Sequence, residues 1–335
     1  MRSSRSTVAG LATWTWLPDR PPRAVLVART PYGAAGHAAE ATGWTAHGIG
    51  LVVQDVRGRH ASPGEFVPYA EDRGDDGPAL LTWVRTWADA PVVLLGTSYG
   101  AHAALATAAH LRPDGVVVAV PALGLGETAR TRGGVLQLAS RIGWWLAHDV
   151  RRPWAEVVAA RRRDAERADE VARLDCPLLA IGGTDDFFAH DTVDLAAAWG
   201  GPAALVLGPW DHGLAGARRA TRILRWLDAV LAGAPPTGTE TIDRDGTVAH
   251  DRPVAAALRV DGADDAQWCV SLVADGREVA HGAAVGRLVP LGPVVLTAAD
   301  RARLEIRIAS DDFPRYARSH RPAAPVPDHH LELTA

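Results

Sequence analysis

Short apolar runs closed by turn residues recur through the first two thirds of the chain: 24–28 (AVLVA), 50–54 (GLVVQ), 92–95 (VVLL), 115–120 (GVVVAV), 178–181 (LLAI) and 204–207 (ALVL). Runs this short, apolar without alternation, mark strands covered on both faces, as in a parallel sheet. Helical stretches separate them, among them 76–88 and 101–111, and the alternation predicts a doubly wound α/β sheet. Near the N-terminus VAGLATWTWLP, broken by polar residues, reads as one more strand. Between 124 and 173 the pattern turns to helices only, including LQLASRIGWWLAHDV, and reads as a lid inserted after a central strand. LAGAPPTGTE at 231–240 is a Pro/Gly/Thr linker. Beyond it VAAALRV, WCVSLVA, REVAH, PVVLT and RLEIRIA are short strands between Asp-Gly and Gly-Pro turns, predicting a small β-sandwich. The Pro-rich tail PAAPVPDHHLELTA reads as extended and solvated, with His329 and His330 in it. The expected organisation is a core over 1–123 and 174–233, a lid over 124–173, a sandwich over 238–325 and a tail over 326–335.

Composition narrows the chemistry. The 335 residues, 47% hydrophobic, can bury one large core and a smaller second unit. Net charge is −4, and the one basic run, Arg161 to Arg163, sits among Asp164, Glu166 and Arg167 as a solvated helix face, so no nucleic-acid partner is expected. No apolar run approaches the roughly 18 residues that span a bilayer, so neither a membrane partner nor a targeting segment is expected and a cytoplasmic location is. Cys176 and Cys269 lie far apart and read as buried thiols. All 35 basic residues counted as Lys or Arg are Arg. The absence of lysine removes Schiff-base and pyridoxal-phosphate chemistry, the P-loop and Ser-Lys dyads.

The chemistry centres on VVLLGTSYGAHAALATAAH at 92–110, where a β-branched stretch meets an alanine-rich helix through Gly96-Thr97-Ser98-Tyr99-Gly100. G-x-S-x-G at a strand-to-helix corner matches the nucleophile elbow of α/β-hydrolases, with Ser98 above the sheet. The bland alternative is a helix cap. A nucleophilic Ser98 needs a base and an orienting carboxylate from loops after later strands, in the order Ser, Asp, His. GGTDDFF after 178–181 offers Asp185 and Asp186, and GPWDHG after 204–207 offers His212. His37, His47, His102, His110 and His190 fit this order less well and read as surface or packing residues.

These residues resemble a known family. RTPYG at 29–33, QDVRGRHASPGEF at 54–66, GTSYGA at 96–101, GGTDDFF, GPWDHG and LEIRIASDDFPRYAR at 304–318 look like the hydrolases related to cocaine esterase and the X-Pro dipeptidyl-peptidases, the CocE/NonD family. The resemblance implies an α/β-hydrolase with a helical lid and a C-terminal jelly roll, here reduced. It implies Ser98 as nucleophile, His212 as base and Asp186 as acid, with Asp185 the alternative. It further implies an oxyanion hole made by the Tyr32 hydroxyl and the backbone N–H of Tyr99. Asp55 and Arg57 are expected to pair and fix the loops beside the site.

Trp44, Trp144, Trp145, Trp210, Phe187 and Phe188 are candidate pocket walls. Amino-acid ester hydrolases of the same superfamily carry carboxylates just after the catalytic Asp; Phe187 and Phe188 stand there instead, so an uncharged or apolar acyl group is expected. A carboxylate on the lid, at Glu127, Asp149 or Glu156, would change that. The expected activity is hydrolysis of a small-molecule ester or amide through an acyl-enzyme, with no metal and no organic cofactor. Acyl transfer or cyclisation, X-Pro peptidase action and a non-catalytic binding protein on the same scaffold remain alternatives, and self-association stays open.

Overall fold

The computed structural model of the chain describes residues 1–71, 74–148, 153–244, 246–248, 254–319 and 328–334. Its first unit is built in chain order from β1 (Arg2–Val8), β2 (Leu11–Leu17), β3 (Ala24–Thr30), α1 (Ala38–Ala46), β4 (Ile49–Asp55), α2 (Asp76–Arg85), β5 (Val92–Thr97), α3 (Tyr99–His110) and β6 (Gly115–Ala119). The lid helices α4 (Leu125–Ala129), α5 (Leu138–Ala147), α6 (Trp154–Ala159) and α7 (Asp164–Val171) follow, then β7 (Leu178–Gly183), α8 (Ala189–Ala198), β8 (Ala203–Gly208), α9 (Arg219–Leu231) and β9 (Gly238–Thr241). The nine strands form one sheet in the order β1-β2-β4-β3-β5-β6-β7-β8-β9, parallel from β4 to β9.

Strands β3 and β4 are buried at every position because helices cover both faces. Leu80, Leu81 and Val84 of α2, Ala101, Ala104 and Ala108 of α3 and Leu195 of α8 pack on one side. Trp44 of α1 and Ile223, Trp226 and Leu227 of α9 pack on the other.

Several expected elements move. The single N-terminal strand is a hairpin: β1 (RSSRSTV) lies on the sheet edge, mostly exposed, and so lacks an apolar run. The lid is not helical throughout, since 130–137 folds back with a bridge between Arg130 and Leu136 and docks on the C-terminal unit. A Cβ at Gly133 would stand 2.2 Å from the Ala284 side chain, and Leu138 N–H donates to Arg315 O. Gly238–Thr241, placed in linker and sandwich from the sequence, is β9 beside β8.

The sandwich strands begin with β10 (Val254–Val260), followed by β11 (Gln267–Ala274), β12 (Arg277–Val285), β13 (Leu288–Val294), helix α10 (Ala298–Ala302), β14 (Leu304–Ala309) and β15 (His329–Thr334). They make two three-stranded sheets, β13-β10-β15 and β12-β11-β14, around a core that includes Trp268, Leu272 and Leu291. PVVLT at 293–297 largely follows β13 instead of forming a strand. The end of the expected tail is β15, with His330 opposite Arg259 and bonded to Glu332, so it is not a free solvated segment. Cys176 and Cys269 are free and buried. Among the described residues no helix is long and apolar enough to cross a membrane.

Candidate active site

Strand β5 ends at Thr97 and α3 begins at Tyr99, so Ser98 alone makes the corner, at φ 53° and ψ −118°. A serine held in so sparsely populated a region costs on the order of 1–3 kcal/mol, which the surroundings must offset. They do so through hydrogen bonds: Ser98 N–H donates to Ala119 O at 2.9 Å, and Ser98 O accepts from Ala101 at 3.0 Å and Ala122 at 3.2 Å. Gly96 is required by close approach, because a Cβ there would lie 2.3 Å from Gly100 O. Gly100 is less constrained than the motif suggests; its Cβ would meet only Arg29 O, at 3.3 Å.

The other two loops are joined by their glycines. Gly183 pairs with Gly208 at the ends of β7 and β8, and a Cβ on Gly183 would stand 1.9 Å from Trp210 O. Thr184 N–H donates to Gly208 O and Asp185 N–H to Trp210 O, which sets the Asp loop against the His loop. Asp186 then accepts from His212 Nδ1 at 2.8 Å, and His212 Nε2 lies 2.9 Å from Ser98 Oγ. The Asp186 side chain is fully buried and its Oδ2 has no partner among the described residues. Asp185 points elsewhere, to Thr184 and Arg244.

Tyr32 reaches the same place from the loop after β3. Asp55 holds that loop by accepting from Ala34 N–H at 2.6 Å, and Arg59 donates to both Pro31 O and the lid's His148 O. The expected Asp55–Arg57 pair does not form: Arg57 binds Asp76 with two nitrogens, leaving the Asp55 carboxylate to backbone donors. The Tyr32 hydroxyl accepts from Trp144 Nε1 at 3.0 Å. Desolvation pushes the Tyr32 phenol above its ordinary pKa. Tyr99 turns its ring into the interior, where its hydroxyl donates to Glu71 Oε1 at 2.6 Å. Burial first, then the Glu71 charge, drives the Tyr99 phenol well above 10.0. Its backbone N–H belongs to the first turn of α3, which has no intrahelical acceptors.

A cavity of about 460 Å³ opens at Ser98, lined among others by Tyr32, Trp144 and His212. Of the expected walls only Trp144 lines it. Trp44 is buried on the α1 and α9 side of the sheet and lines the neighbouring cavity there, Trp210 is a core residue on the same side, and Trp145 is buried in the lid with Val157. Phe187 stacks on the His212 imidazole at 4.5 Å and 22°, and Phe188, 1% exposed, meets it edge-on at 5.5 Å, so this pair holds the base. The cavity does hold a carboxylate. Glu40 from α1 lines it, accepting from His37 Nδ1 at 2.7 Å and Trp44 Nε1 at 3.1 Å. Although burial opposes the charged form, these bonds hold Glu40 below the usual glutamate range.

Of the lid acids, Glu127 is buried against Arg163 N–H, Glu156 does not line the cavity, and Asp149 lies outside the described residues. Glu40 and Arg219 were missed because they sit on helix starts with no motif around them, and His37 was read as a surface or packing residue. Among the described residues no three His, Cys, Asp or Glu converge on a metal-holding arrangement.

Residues 9–168 match the family model of X-Pro dipeptidyl-peptidase (S15 family). The chain is 31% identical over 147 residues to cocaine esterase from Rhodococcus sp. (strain MB1 Bresler); the match takes in 40% of this chain and 25% of that one, so it spans about a quarter of the relative's length. A CocE/NonD family hydrolase from Staphylococcus aureus superposes with TM-score 0.70 over 99% of this chain and 90% of its own, at 11% identity. A 2,6-dihydroxy-pseudo-oxynicotine hydrolase gives TM-score 0.50 over 71% and 70%, at 18% identity.

Proposed function

We propose that this chain, which belongs to the α/β-hydrolase family of cocaine esterase and the X-Pro dipeptidyl-peptidases, is a serine hydrolase that cleaves carboxylic esters or amides through an acyl-enzyme. The observation that carries this reading is the unbroken hydrogen-bonded relay from Ser98 Oγ through His212 to the buried Asp186 carboxylate. A carboxylate only accepts, so Nδ1 carries the proton toward Asp186 and Nε2 is left as an acceptor for the Ser98 hydroxyl.

Ser98 Oγ attacks the carbonyl carbon while its proton passes to Nε2. The tetrahedral oxyanion is met by the Tyr99 N–H and the Tyr32 O–H. Collapse breaks the bond to the leaving alcohol or amine, which takes the proton from His212 and departs. Water then gives a proton to Nε2 and attacks the acyl-enzyme. The second tetrahedral intermediate expels Ser98 Oγ, which recovers its proton, and the carboxylic acid leaves. Trp144 contributes through Tyr32. An indole N–H only donates, so the Tyr32 oxygen accepts there and its own proton is free to face the reacting carbonyl. A phenol is protonated at neutral pH, and desolvation moves Tyr32 further in that direction.

The test is turnover of short p-nitrophenyl esters by the wild-type protein and by Ser98→Ala. Turnover by the wild type and its loss in a variant with unchanged circular dichroism are expected. Equal turnover by both proteins would remove Ser98 from the chemistry.

A further inference from the structure

We infer that the substrate carries a free carboxylate near its scissile bond and that Arg219 recognises it; this rests on the serine-hydrolase reading of Ser98. The cavity at Ser98 adjoins a second cavity of about 640 Å³ between α1 and α9, and the two share Glu40, Leu95, Thr97 and Arg219. Their charged lining is unbalanced. Glu40 is the one acid, whereas Arg29 and Arg219 face the first cavity and Arg218 and Arg219 the second.

Internal partners account for Arg29 and Glu40, whereas neither Arg218 nor Arg219 forms an ion pair among the described residues. Arg29 is buried and committed to Gln54 and Asp76. Both Glu40 oxygens already accept, from His37 and Trp44. Arg219, itself exposed, donates from Nη1 to the Thr97 hydroxyl at 3.0 Å and lies near enough to Glu40 for its charge to favour the ionised carboxyl, but it forms no ion pair among the described residues. Arg222, a turn further along α9, does pair, with Glu240. A cation in the first turn opposes the helix macrodipole, so helix stability does not explain Arg219.

A guanidinium presents five N–H donors in a fork that matches a carboxylate. Its anchor, Thr97, is the residue before the nucleophile, and Thr97, Ser98 and Arg219 line the same cavity. The class of substrate that fits is an ester or amide with a free carboxylate on its acyl or alcohol part. The rest of such a molecule has the α1–α9 cavity to occupy.

Two ester pairs test this. One places the charge on the acyl chain (mono-p-nitrophenyl adipate against p-nitrophenyl hexanoate), the other on the alcohol (3-acetoxybenzoate against phenyl acetate), each corrected for spontaneous hydrolysis. In at least one pair kcat/KM should favour the anion by about tenfold or more, as a charge-assisted contact supplies, and Arg219→Gln should collapse that ratio toward 1. No anion preference in either pair, or a preference that Arg219→Gln leaves within about twofold, overturns the proposal. A second readout needs no turnover: hexanoate, but not hexanol, should slow fluorophosphonate labelling of Ser98 in the wild type, and Arg219→Gln should abolish the protection. Equal protection by both, or by neither, also overturns the proposal. Absence of labelling altogether would instead strike the serine-hydrolase reading.

Discussion

Replacing Trp144 by Phe probes how the lid reaches the oxyanion hole. The substitution keeps an aromatic ring where the indole stacks on Tyr99 (5.7 Å, 7°) and on His148 (4.8 Å, 26°), and removes the Nε1–H that donates to Tyr32 at 3.0 Å. A neutral hydrogen bond is worth about 0.5–1.5 kcal/mol net, so kcat/KM should fall about 2- to 10-fold. Tyr32→Phe removes the oxyanion donor itself and should cost about 10²–10³-fold. Because Trp144 acts through the Tyr32 hydroxyl, adding Trp144→Phe to Tyr32→Phe should cost almost nothing further. The assay is kcat/KM for p-nitrophenyl acetate across the four proteins, a substrate too small to lean on the lid. If Trp144→Phe costs as much without the Tyr32 hydroxyl as with it, Trp144 is only a wall of the cavity and the orienting role is wrong.

Asp186→Asn should lower kcat by about 10⁴ through the wrong imidazole tautomer, while Asp185→Asn, on a carboxylate directed to Arg244, should stay close to wild type in the same steady-state assay. Gly96→Ala forces a Cβ to within 2.3 Å of Gly100 O and should abolish activity or folding, whereas Gly100→Ala, with its nearest contact at 3.3 Å, should retain a folded protein by circular dichroism. Burial opposes ionisation of Glu278, but hydrogen bonds with His281, Ser271 and Arg315 hold its pKa near 2. A folded pKa below the unfolded one stabilises above the unfolded value and is lost as pH falls from about 4.5 toward 2. Thermal melts of Glu278→Gln should therefore be less sensitive than wild type to acid across that window.

The sheet was legible because its central strands are buried on both faces and so read as unbroken apolar runs; β1, exposed at the edge, carries no such signal. Strand β9 was hidden for a similar reason, since GTET at an edge reads as linker. The end of the chain was misplaced because β15 pairs with β10, about seventy residues earlier, a partnership that local pattern does not encode. Within the site, Ser98, Asp186, His212 and Tyr32 sit in loops whose glycines and turn residues mark them, and these are the residues the fold brings together. The aromatic walls were harder to place, because a tryptophan in sequence carries no sign of which side of the sheet it will face. Trp210 therefore falls in the core and Trp44 against the α1–α9 cavity, while Trp144 alone of them lines the cavity at Ser98. Glu40 and Arg219 come from helices far apart in the chain, and only the packing of α1 and α9 against one face of the sheet makes them neighbours of the nucleophile.

Whether Ser98 is an activated nucleophile is decided by treating the folded protein with an active-site-directed fluorophosphonate and mapping the adduct by mass spectrometry. One equivalent of label on Ser98 is expected, with labelling slowed severely in His212→Ala because the proton acceptor is gone. A folded protein that takes up no label, or takes it up equally fast without His212, would contradict that role for Ser98.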